Sequence, residues 1–366
     1  MPRARRLVRG LSTLALLAVA LAPLPAHAQG ISIGGPFNGE AQALSGAGGT
    51  FPGPLYAKWF DAYAKLTHVN VNYQAIGSGG GIKGIQDQTV DFGASDAPMT
   101  DEQVQAAKGG PIYHIPTALG AIVPTYNVPE ASDQLKFTGA TLAGIFLGDI
   151  QAWNDPALVA DNPALAGVDQ PITVVHRSDG SGTTFGFTDY LSAVSPDWAQ
   201  RVGKNTSVNW PTGLGASGNP GVAGEVQQTP YSIGYVELIY ALQNNLGYGM
   251  VQNAAGTWVQ PSLATVTAAA ASAAPSIPDD LRFSIVNAPG DNAYPISTAT
   301  WLLVYREIPD HAKGLAITRM LWWATHDGQT MNNDLQYATV PAELTSRSEA
   351  FIQHITSGGT PVFPGR

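Results

Sequence analysis

The 366-residue chain contains no cysteine, so disulfides and thiolate metal sites are excluded in any compartment. Charge is sparse as well, at 12% of residues, and acids outnumber cations 27 to 18. Four of the cations, Arg3, Arg5, Arg6 and Arg9, sit together near the start, which leaves 14 cations against 27 acids in the rest of the chain. That balance disfavours nucleic acid and anionic membrane surfaces as partners. No apolar run reaches the roughly 18 to 20 residues needed to span a bilayer. Metal and hydrolase signatures are missing too. The histidines at 68, 114, 176, 311, 326 and 354 form neither H-x-H nor H-E-x-x-H. None of Ser78, Ser181 and Ser217 lies in G-x-S-x-G. Residues 77–84, "GSGGGIKG", fail the Walker spacing, because Ile82 stands where glycine is required and Gly84 follows the lysine. No metal and no cofactor is expected.

What is present begins with a leader. Residues 1–28 have a basic start, an apolar stretch over residues 11–24 and a small-residue Ala26-His27-Ala28 end, the three-part pattern of a secretory signal peptide. Export with cleavage after Ala28 is expected, giving a product soluble outside the cytoplasm. Residues 29–40 read as a polar, glycine-rich flexible leader. Beyond them, short apolar runs alternate with segments of helical periodicity, which predicts an α/β protein. The length predicts two lobes. Residues 55–66, 183–194 and 314–326 read as helices, residues 69–75, 172–177 and 296–307 as strands, and residues 141–153, "TLAGIFLGDIQAW", as an amphipathic helix. The alanine-rich stretch 263–275 fits an exposed helix or a linker equally well.

Three places share one construction, a turn of small or hydroxylated residues followed by a helix. They are residues 46–54, "GAGGTFPGP"; 77–83, "GSGGGIK"; and 179–185, "DGSGTTF". The first N–H groups of a helix lack internal partners and the macrodipole favours negative charge there, so each turn suits an anion. Thr50, Ser78, Ser181 and Thr183 add hydroxyl donors to bare glycine backbone. Two charged features stand beside these turns. Asp96 ends "VDFGASD" just past a strand, where it reads either as a turn residue before Pro98 or as a ligand group. Arg177 ends "ITVVHR" with Asp179 two residues on, a spacing that fits a structural ion pair, an arginine held rigid toward an anion, or both. His176 reads as a packing or solvent-facing neighbour.

With these motifs in view, the chain resembles a known family. "GAGGTFPGPLYAKWFDAY", "NYQAIGSGGGIKGI", "VDFGASDAPMTDE" and "VVHRSDGSGTTFGFTDYLS", followed by "NWPTGLG", "IGYVELIYALQNNL", "YPISTATWLLV" and "NDLQYATVP", are similar in content and order to the periplasmic phosphate-binding proteins of phosphate-specific ABC transporters. The resemblance runs over about residues 41–344 and is interrupted chiefly by the alanine-rich stretch. It implies a two-lobed periplasmic binding protein fold, each lobe a mixed sheet flanked by helices, with the ligand cleft between the lobes. Lobe I would comprise residues 41–122 and 294–350, and lobe II residues 123–293. A C-terminal tail would follow over 351–366, with hinges near 121–128 and 293–296. The resemblance further implies a monomeric, non-enzymatic receptor for inorganic phosphate that passes its ligand to ABC permease subunits in the inner membrane. Phosphate contacts would come from Thr50, the Phe51 backbone, Ser78, Asp96, Arg177, Ser181, Gly182 and Thr183, with Asp179 supporting Arg177. Gly79 stands where some members have a second serine. Asp96 would accept a hydrogen bond from a protonated phosphate oxygen. An ionised carboxylate only accepts, so sulfate would meet like charge there. The alternatives are a secreted phosphatase-like enzyme and a receptor for another tetrahedral oxyanion such as sulfate, molybdate or arsenate.

Overall fold

The computed structural model describes residues 37–131 and 134–363, so the leader, its cleavage site and residues 29–36 lie outside the described residues. Eight strands carry the main sheet: β1 (Ala43–Gly48), β2 (Asn70–Ala75), β3 (Phe92–Ser95), β4 (Ile112–Asn127), β5 (Thr173–Arg177), β6 (Leu214–Ala216), β7 (Ser232–Glu237) and β8 (Ser297–Tyr305). Their spatial order is β2-β1-β3-β8-β4-β7-β5-β6, and Gly247–Tyr248 adds a short strand on β4. β1 pairs in parallel with both β2 and β3, and β5 pairs in parallel with both β6 and β7. The two parallel blocks are joined by antiparallel pairing through β8 and β4. Parallel neighbours need crossovers, supplied here by α1 (Gly53–Thr67), α2 (Ser78–Gln86), α3 (Gly182–Val194) and α4 (Gly218–Gln228).

The 16-residue β4 ties the halves together. Ile112–Ala121 pairs with β8, and from Ile122 to Asn127 the partner becomes β7. The change falls between Ala121 and Ile122, where the Ile122 N–H donates to the Ile296 carbonyl at 2.9 Å. The register between β8 and β4 also slips between Thr300 and Trp301. Pro116, which lacks an N–H, lies opposite Trp301 at that slip, a position a central strand tolerates only at such an irregularity. Thr300, beside that slip, donates into the site described below.

Each half has its own aromatic core. On one side Tyr56, Trp59 and Phe60 of α1 pack with Tyr73, Phe92 and Trp323 at ring distances of 5.2 to 6.0 Å. On the other, Phe146, Phe187, Trp210 and Tyr235 stack at 4.4 to 5.9 Å. Two clusters of large rings, separated by the β4 crossing, are what an α/β protein with two lobes requires.

Several segments differ from the sequence reading. The helix expected over residues 141–153 is Gly139–Leu147, stopped by Gly148 in the left-handed conformation (φ 77°) whose N–H closes onto the Gly144 carbonyl. The alanine-rich stretch forms α5 (Leu263–Ala273), started by a Ser262–Thr265 capping box and burying Val266, Ala269 and Ala270. The described end of the leader is anchored: the Glu40 carboxylate pairs with Arg319 at 2.5 Å, both side chains fully buried, and the guanidinium lies 3.9 Å over the Phe37 ring. Residues 277–285 pack on β8 through a Trp301 indole bond to the Leu281 carbonyl and a Phe283–Trp301 contact at 5.2 Å. The tail is equally well tied. α6 (His311–Thr325) and α7 (Ala342–Gln353) precede a small hairpin of Thr356–Ser357 with Thr360–Pro361, and Val362 and Phe363 are buried after it.

Candidate functional site

The sheet puts the chemistry-bearing turns in one place. In both parallel blocks the segments that carry the candidate residues leave the C-terminal ends of the strands, the usual position for ligand groups in open α/β sheets. Thr50 and Phe51 follow β1, Ser78 follows β2, Asp96 follows β3, Arg177 ends β5 and Ser181 to Thr183 open α3. All eight are buried.

The two blocks meet directly. The Gly79 N–H donates to the Gly180 carbonyl at 2.9 Å. A Cβ on Gly182 would stand 2.5 Å from the Asp96 Cβ and 2.6 Å from Ser78 Oγ, so only glycine allows these walls to come together. Gly77, with φ 92° at the start of α2, is conformationally a glycine position as well. Ser78 and Asp96 are linked within their wall: the Asp96 N–H donates to Ser78 Oγ at 3.1 Å, and that hydroxyl approaches Asp96 Oδ2 at 3.4 Å.

Arg177 is 3% exposed and fixed on both sides. Nε and Nη2 donate to the two carboxylate oxygens of Asp179 at 2.7 and 2.5 Å, a bidentate pair, and the Arg177 N–H donates to the Tyr235 hydroxyl at 3.1 Å. Asp179 is itself held by the Gly218 N–H at 3.0 Å. Burial raises its pKa, but the hydrogen bonds and charge of Arg177 outweigh that and keep the carboxyl below its ordinary range. Asp179 uses two of the five guanidinium donors. Nη1 lies 3.5 Å from Thr183 Oγ1, on the side away from Asp179. Ser181 caps α3, its Oγ accepting the Thr184 N–H at 3.0 Å, so that its own proton is left to donate elsewhere. His176 stands aside, stacked on Trp210 at 4.9 Å.

Asp96, unlike Asp179, has no cation among its hydrogen-bond partners. It is 1% exposed, and Thr300 Oγ1 donates to its Oδ1 at 2.8 Å. Burial pushes its pKa up to about 7, against the lowering effects of Thr300, Arg177 and Ser78. A carboxyl that titrates near neutrality among fixed donors can accept a proton-bearing ligand atom or hold a proton itself.

Sequence reasoning missed four contributors. Asn219 joins the two walls: its N–H and its Nδ2 reach Thr50 Oγ1 at 3.1 and 3.0 Å, and Nδ2 also reaches Thr183 Oγ1 at 3.0 Å. The signal for it existed, because residues 216–221, "ASGNPG", are a fourth small-residue turn before a helix, with Gly218 at φ 70°. Thr300 had no such signal, since it meets Asp96 only through the pairing of β3 with β8. Tyr240 donates from its hydroxyl to the Thr50 carbonyl at 2.6 Å and fixes the first turn. Glu237 lies beneath the site at the β4 crossing, fully buried, with its carboxyl pushed well above the ordinary range by burial. An open groove of about 650 Å³ elsewhere runs past Tyr126, Asn127, Gln227 and Tyr248, and among the described residues no charged side chain lines it.

Comparison with known proteins bears on the family and the fold. A model described as a PBP superfamily domain matches residues 35–317. The chain is 46% identical over 309 residues to the phosphate-binding protein PstS of Xylella fastidiosa strain Temecula1, covering 84% of each. It is also 46% identical over 310 residues to the phosphate-binding protein PstS of Haemophilus influenzae, covering 84% of this chain and 91% of that one. Among solved structures, a high-affinity periplasmic phosphate-binding protein bound with phosphate shares the fold at a TM-score of 0.69 and 19% identity, over 88% of this chain and 98% of that one. The two-lobed architecture, the order of the cleft motifs and this extent of identity together make the chain a member of the phosphate-binding protein family within the PBP superfamily.

Proposed function

We propose that the chain is an exported, monomeric receptor that captures inorganic phosphate in the cleft between its lobes and delivers it to ABC permease subunits of the inner membrane, without catalysing a reaction on it. The observation that carries this reading is the buried Asp96 carboxyl, unpaired by any cation, facing a set of donors. The hydroxyls of Thr50, Ser78, Ser181 and Thr183, the main-chain N–H groups of Phe51 and Gly182, and the Arg177 guanidinium supply hydrogen bonds to an anion. Asp96 accepts one. That combination suits a tetrahedral oxyanion that carries a proton, as phosphate and arsenate do near neutral pH, and it disfavours sulfate, which has none to offer. Asp179 positions Arg177 and binds no ligand.

The lobes are assigned as residues 41–122 with 294–350 and residues 123–293, hinged where β4 changes partners and near residues 293–296. Cleavage after Ala28 releases the receptor into the periplasm. Isothermal titration of the purified protein with phosphate, arsenate and sulfate at two pH values tests the reading. Binding of phosphate and arsenate, with sulfate weaker by two orders of magnitude, is expected; equal affinity for sulfate refutes the role of Asp96. Metal-independent turnover of a chromogenic phosphomonoester, lost in Ser181→Ala, refutes the non-enzymatic reading.

A further inference from the structure

Asn219 makes four hydrogen bonds to three polar groups. The main-chain N–H of Glu237 donates to its side-chain oxygen at 2.9 Å. Because an N–H can only donate, that contact fixes which end of the amide is oxygen, and the other end, Nδ2, is a donor. Nδ2 reaches Thr50 Oγ1 and Thr183 Oγ1, each at 3.0 Å, and the Asn219 main-chain N–H adds a second donor on Thr50 Oγ1 at 3.1 Å. Thr183 Oγ1 also receives Arg177 Nη1 at 3.5 Å.

A hydroxyl oxygen has two lone pairs and one proton. In both threonines the contacts from Asn219 and Arg177 are made by groups that cannot accept, so they occupy the lone pairs. Neither proton can be returned to those partners. Each proton must therefore be donated in another direction, and the remaining open direction is the cleft that Arg177, Ser181 and Gly182 line.

We infer that Asn219 is a positioning residue that fixes Thr50 and Thr183, one from each wall, as obligate hydrogen-bond donors to the bound anion. The inference rests on the phosphate-receptor reading. It gives the amide two effects: it orients donors for the anion before binding, and it completes the bond between the walls only when both threonines are in place. The fold supports this placement. Asn219 enters the first turn of α4, where Gly218 at φ 70° turns the chain and donates to Asp179, so the residues that orient Arg177 and the two hydroxyls are consecutive.

The test compares the full-length mature protein with Asn219→Asp and Asn219→Ala by phosphate calorimetry, with thermal melting of each protein alone. Asn219→Asp keeps the size and the acceptor for the Glu237 N–H. It replaces Nδ2 by an oxygen, which draws both threonine protons away from the cleft and brings a negative charge nearer the anion. Its phosphate affinity is expected to fall by about 100-fold or more, as for the loss of two hydrogen bonds to a charged group. Asn219→Ala, which frees the hydroxyls without reversing them, should lose less. In a Thr50→Val/Thr183→Val background Asn219→Ala should differ from its parent by less than about threefold, because no hydroxyl remains to be oriented, and the Asn219→Asp loss should shrink at least about tenfold, to the part its charge alone causes. Charge repulsion alone would leave the Asn219→Asp loss intact in that background and would overturn the inference. So would equal phosphate affinity in Asn219→Asp and the unmodified protein. Absence of phosphate binding by the unmodified protein would instead remove the receptor reading itself.

Discussion

Replacing Asp96 by asparagine separates recognition of a ligand proton from recognition of charge. The buried carboxylate is held at 2.8 Å by Thr300 and has no cationic partner, so an unprotonated oxygen placed against it leaves a buried charge uncompensated. That costs about 3 kcal/mol or more, roughly 150-fold in affinity. An amide in its place offers a donor as well as an acceptor. In Asp96→Asn, sulfate affinity is expected to rise about 100-fold relative to phosphate, while phosphate itself weakens by less than about tenfold. The same substitution has a signature in the ligand-free protein. Burial raises the Asp96 pKa from 3.8 to about 7. A carboxyl whose folded pKa lies above its unfolded value contributes stability below about pH 4, and that contribution is lost as pH rises through 7. Three units correspond to an upper bound on the order of 4 kcal/mol. Glu237 is shifted in the same direction, so the absolute slope of stability against pH mixes the two groups. The difference between Asp96→Asn and the unmodified protein isolates Asp96: the variant should gain relative stability from pH 4.5 to about 7 and level off above it, read by denaturant melts. An unchanged sulfate-to-phosphate ratio together with a flat difference would refute the account.

Other consequences follow from the same contacts. Arg177→Ala removes the guanidinium and strands Asp179 with only the Gly218 N–H; phosphate should weaken by about 2 to 5 kcal/mol in calorimetry, and unchanged affinity would make the arginine purely structural. Gly182→Ala sets a methyl 2.5 Å from the Asp96 Cβ. The walls then cannot close as described, and phosphate should weaken roughly 10- to 100-fold with little change in the melting temperature of the protein alone. His114 is buried with Nε2 accepting the Met99 N–H at 3.1 Å, and burial, reinforced by the charge of Arg282, pushes its pKa down to about 3. A base depressed on folding stabilises above its unfolded pKa of 6.5 and loses that contribution as pH falls toward 3. His114→Gln should therefore lose less stability than the unmodified protein between pH 6.5 and 4 in urea melts; parallel curves would refute this.

Much of this protein is decided locally and is readable as such. Export signals, the absence of thiols, the α/β rhythm and the three turns are fixed by residue type and short spacing, because a glycine turn before a helix makes its anion-suited N–H groups without help from distant residues. The Arg177–Asp179 pair is likewise two residues apart and formed at the end of one strand. Where local rules compete, the sequence left the outcome open. The alanine-rich segment became a half-buried helix because a capping box starts it and the fold covers one face. The extension expected beyond Leu147 failed because Gly148 adopts a left-handed cap. Only the tertiary structure decided how the turns cooperate. Asp96 by itself is a carboxylate before a proline; its elevated pKa comes from burial, and its Oδ1 is held by a threonine 204 residues away. Asn219 acquires its role by touching Thr50, 169 positions earlier, and Thr183, 36 positions earlier. Hydrogen-bond polarity, desolvation and the meeting of two walls are properties of atoms brought together across the chain, and no spacing along the sequence encodes them.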